Sequence, residues 1–308
     1  MKKVFIDGKA GTTGLRIYER LEGRTDITLL LLSDEDRKDP MARKAMLNEA
    51  DVAFLCLPDD AAREAVSFVE NDRTVVIDTS TAHRTNPFFA YGFPELSPLF
   101  RERIASMKRI AVPGCHASGF IALVYPLIQS GLLSKDALLS AHSLTGYSGG
   151  GKKMIAEYES SDCPVLYSAP RQYGLSQMHK HLPEMQAVTG LSEKPVFSPI
   201  VANFYSGMAV TVPLFRSMIN GTPNDIRAVY RELYNTKIVS YTDTLSEGGF
   251  YSAAGLSMKD RMEVTVEGND DRILLLARYD NLGKGASGAA LQCMNIVLGN
   301  DEAEGLIL

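Results

Sequence analysis

Four cysteines and five histidines carry most of the covalent and proton-transfer chemistry open to this chain, and their surroundings set one of them apart. Cys115 stands in VPGCHASGF (112–120), after the apolar run RIAV and at the head of a helical pattern, HASGFIALVYPLI. A thiol at a helix start faces the partial positive charge of free N–H groups, which favours the nucleophilic thiolate. Cys56 and Cys293 fall inside apolar strand and helix patterns and read as core. Cys163 lies in the polar stretch SSDCP, with no evident activator. Of His83, His116, His142, His179 and His181, the last two share MHKHLPEM. A histidine near the cysteine could take the thiol proton and later return it as an acid. The HxH spacing would also put two imidazoles on one strand face, as a metal pair requires. No third ligand stands at a workable spacing, so no metal is expected. His116, next to Cys115 at a helix start, is expected to point elsewhere.

Two glycine-rich stretches could hold anions. Gly8, Gly11 and Gly14, with Thr12 and Thr13 between the last two, form GxxGxxG between a strand and a helix. A tight strand–helix turn needs glycine where φ is positive or where backbone must approach a pyrophosphate, and the helix aims free N–H groups at that anion. A dinucleotide is therefore expected on this loop. Ser33 ends the second strand and Arg37 follows it, which suits the 2′-phosphate of NADP; Asp34, Glu35 and Asp36 between them argue for NAD, and NADP is the expectation. The second stretch, GYSGGGKK (146–153), fits the GxxxxGK part of a P-loop. Lys153 stands where a P-loop needs Ser or Thr for Mg²⁺, and no NTPase domain follows. Ser148 and Gly149 are instead candidates for a substrate-phosphate loop, against the plainer reading of a flexible turn.

These residues need a frame. The segments KVFI (3–6), ITLLLL (27–32), VAFLCLP (52–58), TVVIDTS (74–80) and RIAV (109–112) read as strands, with helical patterns between them. That alternation is the rhythm of a doubly wound parallel sheet. After Cys115 the pattern changes: 137–148, 198–204, 208–215, 262–268 and 272–279 read as strands of a largely antiparallel sheet. TPNDIRAVYRELYNT (222–236) carries a helix start at Thr222, Pro223 and Asp225. The expected fold is α/β: a Rossmann-type dinucleotide-binding domain (1–114), with the C-terminal helix (285–308) packing back on it. An α+β catalytic and dimerisation domain (115–284) completes the chain. The 308 residues are 45% apolar, enough for two cores. A net charge of −5 without a basic run excludes a nucleic-acid surface, and the longest apolar run is too short for a bilayer. MKKVFID reaches an aspartate at once and is not a signal peptide. Widely spaced cysteines imply free thiols in a reducing cytoplasm.

A dinucleotide loop with a Cys/His pair implies one reaction. A thiolate attacks an activated acyl group, and hydride reduces the resulting thioester to an aldehyde through a thiohemiacetal.

Several motifs in order along the chain resemble one family, the shorter form of the N-acetyl-γ-glutamyl-phosphate reductases of arginine biosynthesis. They are GKAGTTG (8–14), IDTSTAHR (77–84), YGFPEL (91–96), PGCHASGF (113–120), SGGGKK (148–153), HKHLPEM (179–185) and DNLGKGASGAALQCMN (280–295). The resemblance implies NADPH as hydride donor, an acyl-phosphate substrate and Cys115 as the nucleophile. His181 would be the acid/base, with His179 as its rival and Glu184 orienting the imidazole. It places Arg84 at the substrate phosphate, Asn281 and Gly283 at the nicotinamide end of NADP, and Lys284 as a weaker candidate there. It further implies a homo-oligomer, dimer or tetramer, built through the second domain's sheet. Many relatives carry Asn before PGC where this chain has Val112, so any bond from that side chain must be supplied elsewhere. The alternatives are the same chemistry on another acyl phosphate such as aspartyl phosphate, a non-catalytic dinucleotide-binding regulator, or a cofactor-free cysteine hydrolase.

Overall fold

The computed structural model describes residues 1–243 and 247–308. The chain divides into two compact units, Met1–Gly114 with Ala286–Leu306, and Cys115–Gly285 with Ile307–Leu308.

The first unit begins with β1 (Lys2–Asp7), α1 (Thr12–Leu21), β2 (Ile27–Leu30), α2 (Pro40–Glu49), β3 (Val52–Leu55), α3 (Asp59–Phe68), β4 (Val75–Asp78), β5 (Ala90–Tyr91), α4 (Pro98–Ser106) and β6 (Arg109–Ala111). Its six strands are all parallel, in the order β2-β1-β3-β4-β6-β5. Alternate residues point to opposite faces and each face has its own core. Val4, Ile6, Phe54, Ile77 and Ile110 pack on one side, with Phe5, Ala53, Leu55 and Val76 on the other. β2 ends at Leu30 rather than at residue 32, because Leu31 is exposed and has no sheet face to fill.

The second unit contains α5 (Cys115–Gln129), β7 (Ser140–Gly146), α6 (Gly151–Glu159), β8 (Arg171–Gln172), α7 (Leu182–Thr189), β9 (Val196–Ala202), β10 (Met208–Phe215), α8 (Pro223–Leu233), β11 (Val239–Tyr241), β12 (Met262–Gly268) and β13 (Arg272–Tyr279). Its sheet runs β11-β12-β13-β10-β7-β9-β8; the β7–β9 and β11–β12 pairs are parallel and the rest antiparallel. α8 starts as its sequence signal requires: Thr222 Oγ1 accepts from Asp225 N–H and the Asp225 carboxylate accepts from Thr222 N–H. The apolar α5 lies over β10 and β13 and beside α7. The last helix, α9 (Gly288–Leu298), belongs to the first unit, where Ala289, Ala290, Leu291, Cys293 and Met294 fill the same core as β4 and β6. A turn of π-helix (Gly283–Ser287) precedes it, so the helix expected from residue 285 begins three residues later.

Candidate active site

In the first unit the glycine loop is a close-packed turn. Gly8 has φ +88°, and a Cβ there would lie 2.3 Å from the Cys56 carbonyl oxygen. A Cβ on Gly14 would lie 2.5 Å from the Gly8 carbonyl oxygen. Gly11 N–H closes the turn on that oxygen at 3.0 Å, and α1 starts at Thr12 with no side chain capping it. The first-turn amides of Thr12, Thr13 and Gly14 therefore need an acceptor. This cradle, which a single methyl would fill, fits a pyrophosphate. Beyond β2, Ser33 Oγ donates to Asp36 and accepts from its N–H, while Arg37 pairs with Asp34 at 3.3 Å on the surface. Such an exposed pair is weak, so Arg37 can exchange Asp34 for a phosphate at small cost. Behind the loop, the buried Asp7 carboxylate is held by Arg43, which also reaches Glu64 at 3.0 Å.

Arg84 bonds to the backbone of its own unit. Its Nε donates to the Val112 carbonyl at 2.9 Å and one terminal nitrogen donates to the Thr79 carbonyl at 3.0 Å. The guanidinium thus braces the turn after β4 against the backbone entering PGC. Val112 itself is buried, so at this position an apolar side chain and a backbone acceptor stand where relatives were expected to use Asn. His83 is spent on the buried Asp78, 2.7 Å away, and stacks on Phe89.

In the second unit Cys115 is the first residue of α5 and half-buried. An ordinary helix would bond the Cys115 carbonyl to Gly119 N–H. Here the Tyr279 hydroxyl, from the end of β13, sits between them: it donates to the Cys115 carbonyl at 2.5 Å and accepts from Gly119 N–H at 3.0 Å. Burial keeps that phenol protonated, raising its pKa well above the usual range. Gly285 lies against the other side of the cysteine, where a Cβ would come within 3.1 Å of Cys115 Cβ. The loop carrying Gly285 is organised by the fully buried Asp280, whose carboxylate accepts from the N–H groups of Met258, Leu282 and Gly283.

Around His116, the residue after Cys115, the structure gathers two more histidines. The His116 ring centroid lies 5.5 Å from that of His179 and 5.7 Å from that of His181, which are 4.8 Å from each other. His116 was expected to point away; instead its Nδ1 meets Ser143 Oγ at 2.7 Å and its Nε2 meets the Tyr173 hydroxyl at 2.6 Å. His179 and His181 are on no strand. They occupy the turn into α7, where Pro183 stands in the first helical turn and favours a helix start. Gln177, at φ +55°, anchors this turn by pairing its side-chain amide with both backbone groups of Phe197 in β9. His179 Nδ1 accepts from His181 N–H at 3.2 Å. Burial lowers the pKa of His116 to about 3 and that of His179 to about 4, so both are neutral near pH 7. Glu184 is buried in the first turn of α7, three residues beyond His181. His142 faces outward on β7 and lies outside this cluster. Among the described residues no group of His, Cys, Asp and Glu is arranged to hold a metal ion.

Ser148 and Asn281 meet directly. Asn281 Nδ2 donates to Ser148 Oγ at 2.9 Å, and its Oδ1 accepts from Gly207 N–H at 2.9 Å. The loop 146–148 is zipped to 204–207 through the N–H groups of Gly146, Tyr147 and Ser148. Those three amides already have acceptors and are not available to an anion. Gly149 lies at the open end, beside Asn281 and Thr145. Gly283 is wedged against the Lys259 carbonyl, and Lys284 is buried next to it. In the first unit, burial pushes Cys56 up to about 12, and Cys293 sits in the core. His116, Ser143, Tyr173, Tyr279, Asp280 and Gly285 were not found as site residues from sequence. Only Gly285 had a local signal, as the second glycine of GKG.

A parallel dinucleotide-type unit followed by a unit with a mostly antiparallel sheet defines a class, the NAD(P)-dependent oxidoreductases. Residues 3–106 match the family model described as semialdehyde dehydrogenase, NAD binding domain, and residues 115–281 match the model described as semialdehyde dehydrogenase, dimerisation domain. The aspartate semialdehyde dehydrogenase II of Vibrio cholerae, solved with ASA, superposes with a TM-score of 0.74 at 16% identity, covering 97% of this chain and 98% of that one. The Candida albicans aspartate semialdehyde dehydrogenase, solved with NADP, gives 0.67 at 14% identity, covering 97% and 98%. At those identities the likeness is one of fold. In sequence, the N-acetyl-gamma-glutamyl-phosphate reductase of Brucella ovis is 45% identical over 306 residues, covering 96% of this chain and 99% of that protein. The protein of the same name from Trichormus variabilis is 43% identical, covering 99% of each. The chain belongs to the semialdehyde dehydrogenase family, in its N-acetyl-gamma-glutamyl-phosphate reductase branch.

Proposed function

We infer that the chain reduces N-acetyl-γ-glutamyl phosphate to N-acetylglutamate 5-semialdehyde and phosphate with NADPH, a step of arginine biosynthesis. The observation that carries this is Cys115 at the head of α5, held by Tyr279 and Gly285 and accompanied by the histidines of the α7 turn. The Cys115 thiolate attacks the acyl carbon, the bond from that carbon to the phosphate oxygen breaks, and a thioester remains. When bound, the reduced dinucleotide supplies the hydride for the thioester carbon. His181 gives a proton to the oxyanion so formed and takes it back as the C–S bond breaks, releasing the aldehyde and the thiolate. His179 is poorly suited to that role. Its Nδ1 is occupied by His181 N–H, so in the neutral ring Nε2 carries the proton and cannot accept one. Glu184 orients His181 from the first turn of α7.

Gly8, Gly11, Thr12, Thr13 and Gly14 would hold the pyrophosphate, Ser33 and Arg37 the 2′-phosphate, and Asn281 and Gly283 the nicotinamide end. Ser148 and Gly149 would face the substrate, and Arg84 would brace the backbone before Cys115 as well as serve the phosphate. The match of 115–281 to a dimerisation domain supports a homo-oligomer, and four cysteines without a disulfide among the described residues support a reducing, cytosolic setting. No helix among the described residues is long and apolar enough to cross a membrane.

The test runs the reaction backwards, with N-acetylglutamate semialdehyde, phosphate and NADP⁺. The wild type should generate NADPH absorbance and Cys115→Ser should not. Undiminished turnover in that variant would refute the thioester route; turnover of aspartate semialdehyde alone would move the assignment to the aspartyl substrate. Dinucleotide binding without any turnover would indicate a regulator.

A further inference from the structure

The loop that presses on Cys115 is itself held from behind. Asp280 Oδ1 accepts from the N–H groups of Leu282 and Gly283, and the Asp280 carbonyl accepts from Gly285 N–H at 3.0 Å, which closes Asp280–Gly285 into a tight turn. Asp280 Oδ2 faces the other way and accepts Met258 N–H at 2.7 Å. Residues 258–260 are thereby bound to the turn, and the packing is close. A Cβ on Gly283 would collide with the Lys259 carbonyl oxygen and lie 3.1 Å from Asp260 Oδ1.

Residues 258–260 are strained. Met258 has φ +65°, a left-handed conformation that costs a residue with a Cβ about 1–3 kcal/mol and persists only where its surroundings fasten it. Asp280 fastens one side. Ile307 and Leu308, which belong to the second unit, fasten the other. Asp260 N–H donates to the Ile307 carbonyl at 2.7 Å, Ile307 N–H donates to Asp260 Oδ2 at 2.8 Å, and the Lys259 ammonium donates to the Leu308 carbonyl oxygen at 2.8 Å. The Asp260 carboxylate is fully buried, with one oxygen on Ile307 and the other against Gly283. The approach to residue 307 is fastened as well, since Asn295 Nδ2 donates to the carbonyls of Glu302 and Glu304.

We propose that Ile307 and Leu308 act as a latch on residues 258–260 that fixes the Asp280–Gly285 turn and, through Gly285, the head of α5 at Cys115. Lys259, Asp260 and Ile307 are positioning residues in this scheme: they act on Cys115 only through Gly283 and Gly285. One turn thus carries both Gly283, proposed for the nicotinamide end, and Gly285, which abuts Cys115. The proposal rests on Cys115 being the nucleophile, but its first test needs no substrate.

That test is amide hydrogen exchange of the wild-type protein and its variants, read by mass spectrometry. In a chain stopped after Leu306, and in Lys259→Met, peptides covering 280–286 and 115–120 should exchange roughly two- to tenfold faster, the factor that one lost hydrogen bond gives. Lys259→Arg, which keeps a donor for Leu308, should exchange like wild type. Lys259→Met in the stopped chain should add nothing, because both changes break the same link. Unchanged exchange at 280–286 in the stopped chain, or additive effects, would overturn the latch. The second test is the reverse reaction. The stopped chain should lose about three- to tenfold in kcat, the cost of a shift of about a third of an ångström at a reacting atom. The KM values for aldehyde and phosphate should hold, since Ser148, Gly149 and Arg84 lie outside the latch. Intact kcat with a raised KM, or equal losses in Lys259→Met and Lys259→Arg, would also overturn it. Retained turnover in Cys115→Ser would remove the nucleophile assignment and leave the exchange result standing.

Discussion

Gly285→Ala tests how closely Cys115, the proposed nucleophile, is placed. A methyl there would lie 3.0 Å from the Asp280 carbonyl oxygen, 3.1 Å from Cys115 Cβ and 3.4 Å from Cys115 Cα. The Asp280 carbonyl is fixed, since it accepts Gly285 N–H and its own carboxylate anchors the loop through three backbone donors. The start of α5 is the softer neighbour, so Cys115 must retreat by about 0.3 Å to restore ordinary contact. A displacement of 1 Å at a reacting atom costs about 10²-fold, and about a third of that distance corresponds to roughly a three- to tenfold loss of kcat. The glycine loop belongs to the other unit, and the Asp280 carboxylate keeps the Leu282 and Gly283 backbone in place, so NADPH affinity by isothermal titration should be unchanged. Gly23→Ala, with no atom within 4 Å of the new methyl, serves as the neutral control. Full kcat in Gly285→Ala, or a loss confined to NADPH binding, would refute this account of how Cys115 is held.

Three further outcomes follow from the hydrogen bonds and charges. His116 and His179 have folded-state pKa values of about 3 and 4 against 6.5 unfolded, so below pH 6.5 the unfolded chain binds more protons and stability falls with pH. Urea midpoints should drop between pH 6.5 and 4, with each group contributing at most about 1.4 kcal/mol per pH unit; His116→Gln should flatten the profile, and an unchanged slope would contradict the burial of this ring. Arg43→Met leaves the buried Asp7 carboxylate without its counter-ion and should cost about 3–5 kcal/mol in equilibrium unfolding. Much of that loss should return when Asp7→Asn is added. Asn281→Leu strands Gly207 N–H and the Ser148 hydroxyl in a buried site, and should cost about 1–3 kcal/mol in the same measurement.

The parallel sheet was legible because its strands are buried on both faces and its turns carry glycine where a Cβ cannot fit. β5 and β8, two residues each, leave no periodicity to read. The place of Cys115 was legible from the pattern alone, and the structure puts it at the head of α5. The histidine pair was singled out, and the strand face that its HxH spacing could offer does not form. HLPEM holds a helix-start signal at Pro183, and the turn before it depends on Gln177 reaching Phe197, which no local spacing reveals. His116 was set aside because neighbours in a helix normally diverge. What draws it into the cluster is Ser143 and Tyr173, 27 and 57 residues further along the chain, brought close only by the sheet.

The Tyr279 hydroxyl, inserted into the first turn of α5, also ties the head of that helix to the far end of β13. Tyr279 lies 164 residues after Cys115 and closes the last strand of the second sheet. During synthesis, the helix carrying Cys115 has left the ribosome long before the residue that spreads its first turn. Until β13 pairs with β10 and β12, that turn lacks the hydroxyl that bridges Cys115 and Gly119. The environment proposed for Cys115 is therefore complete only when the sheet is complete.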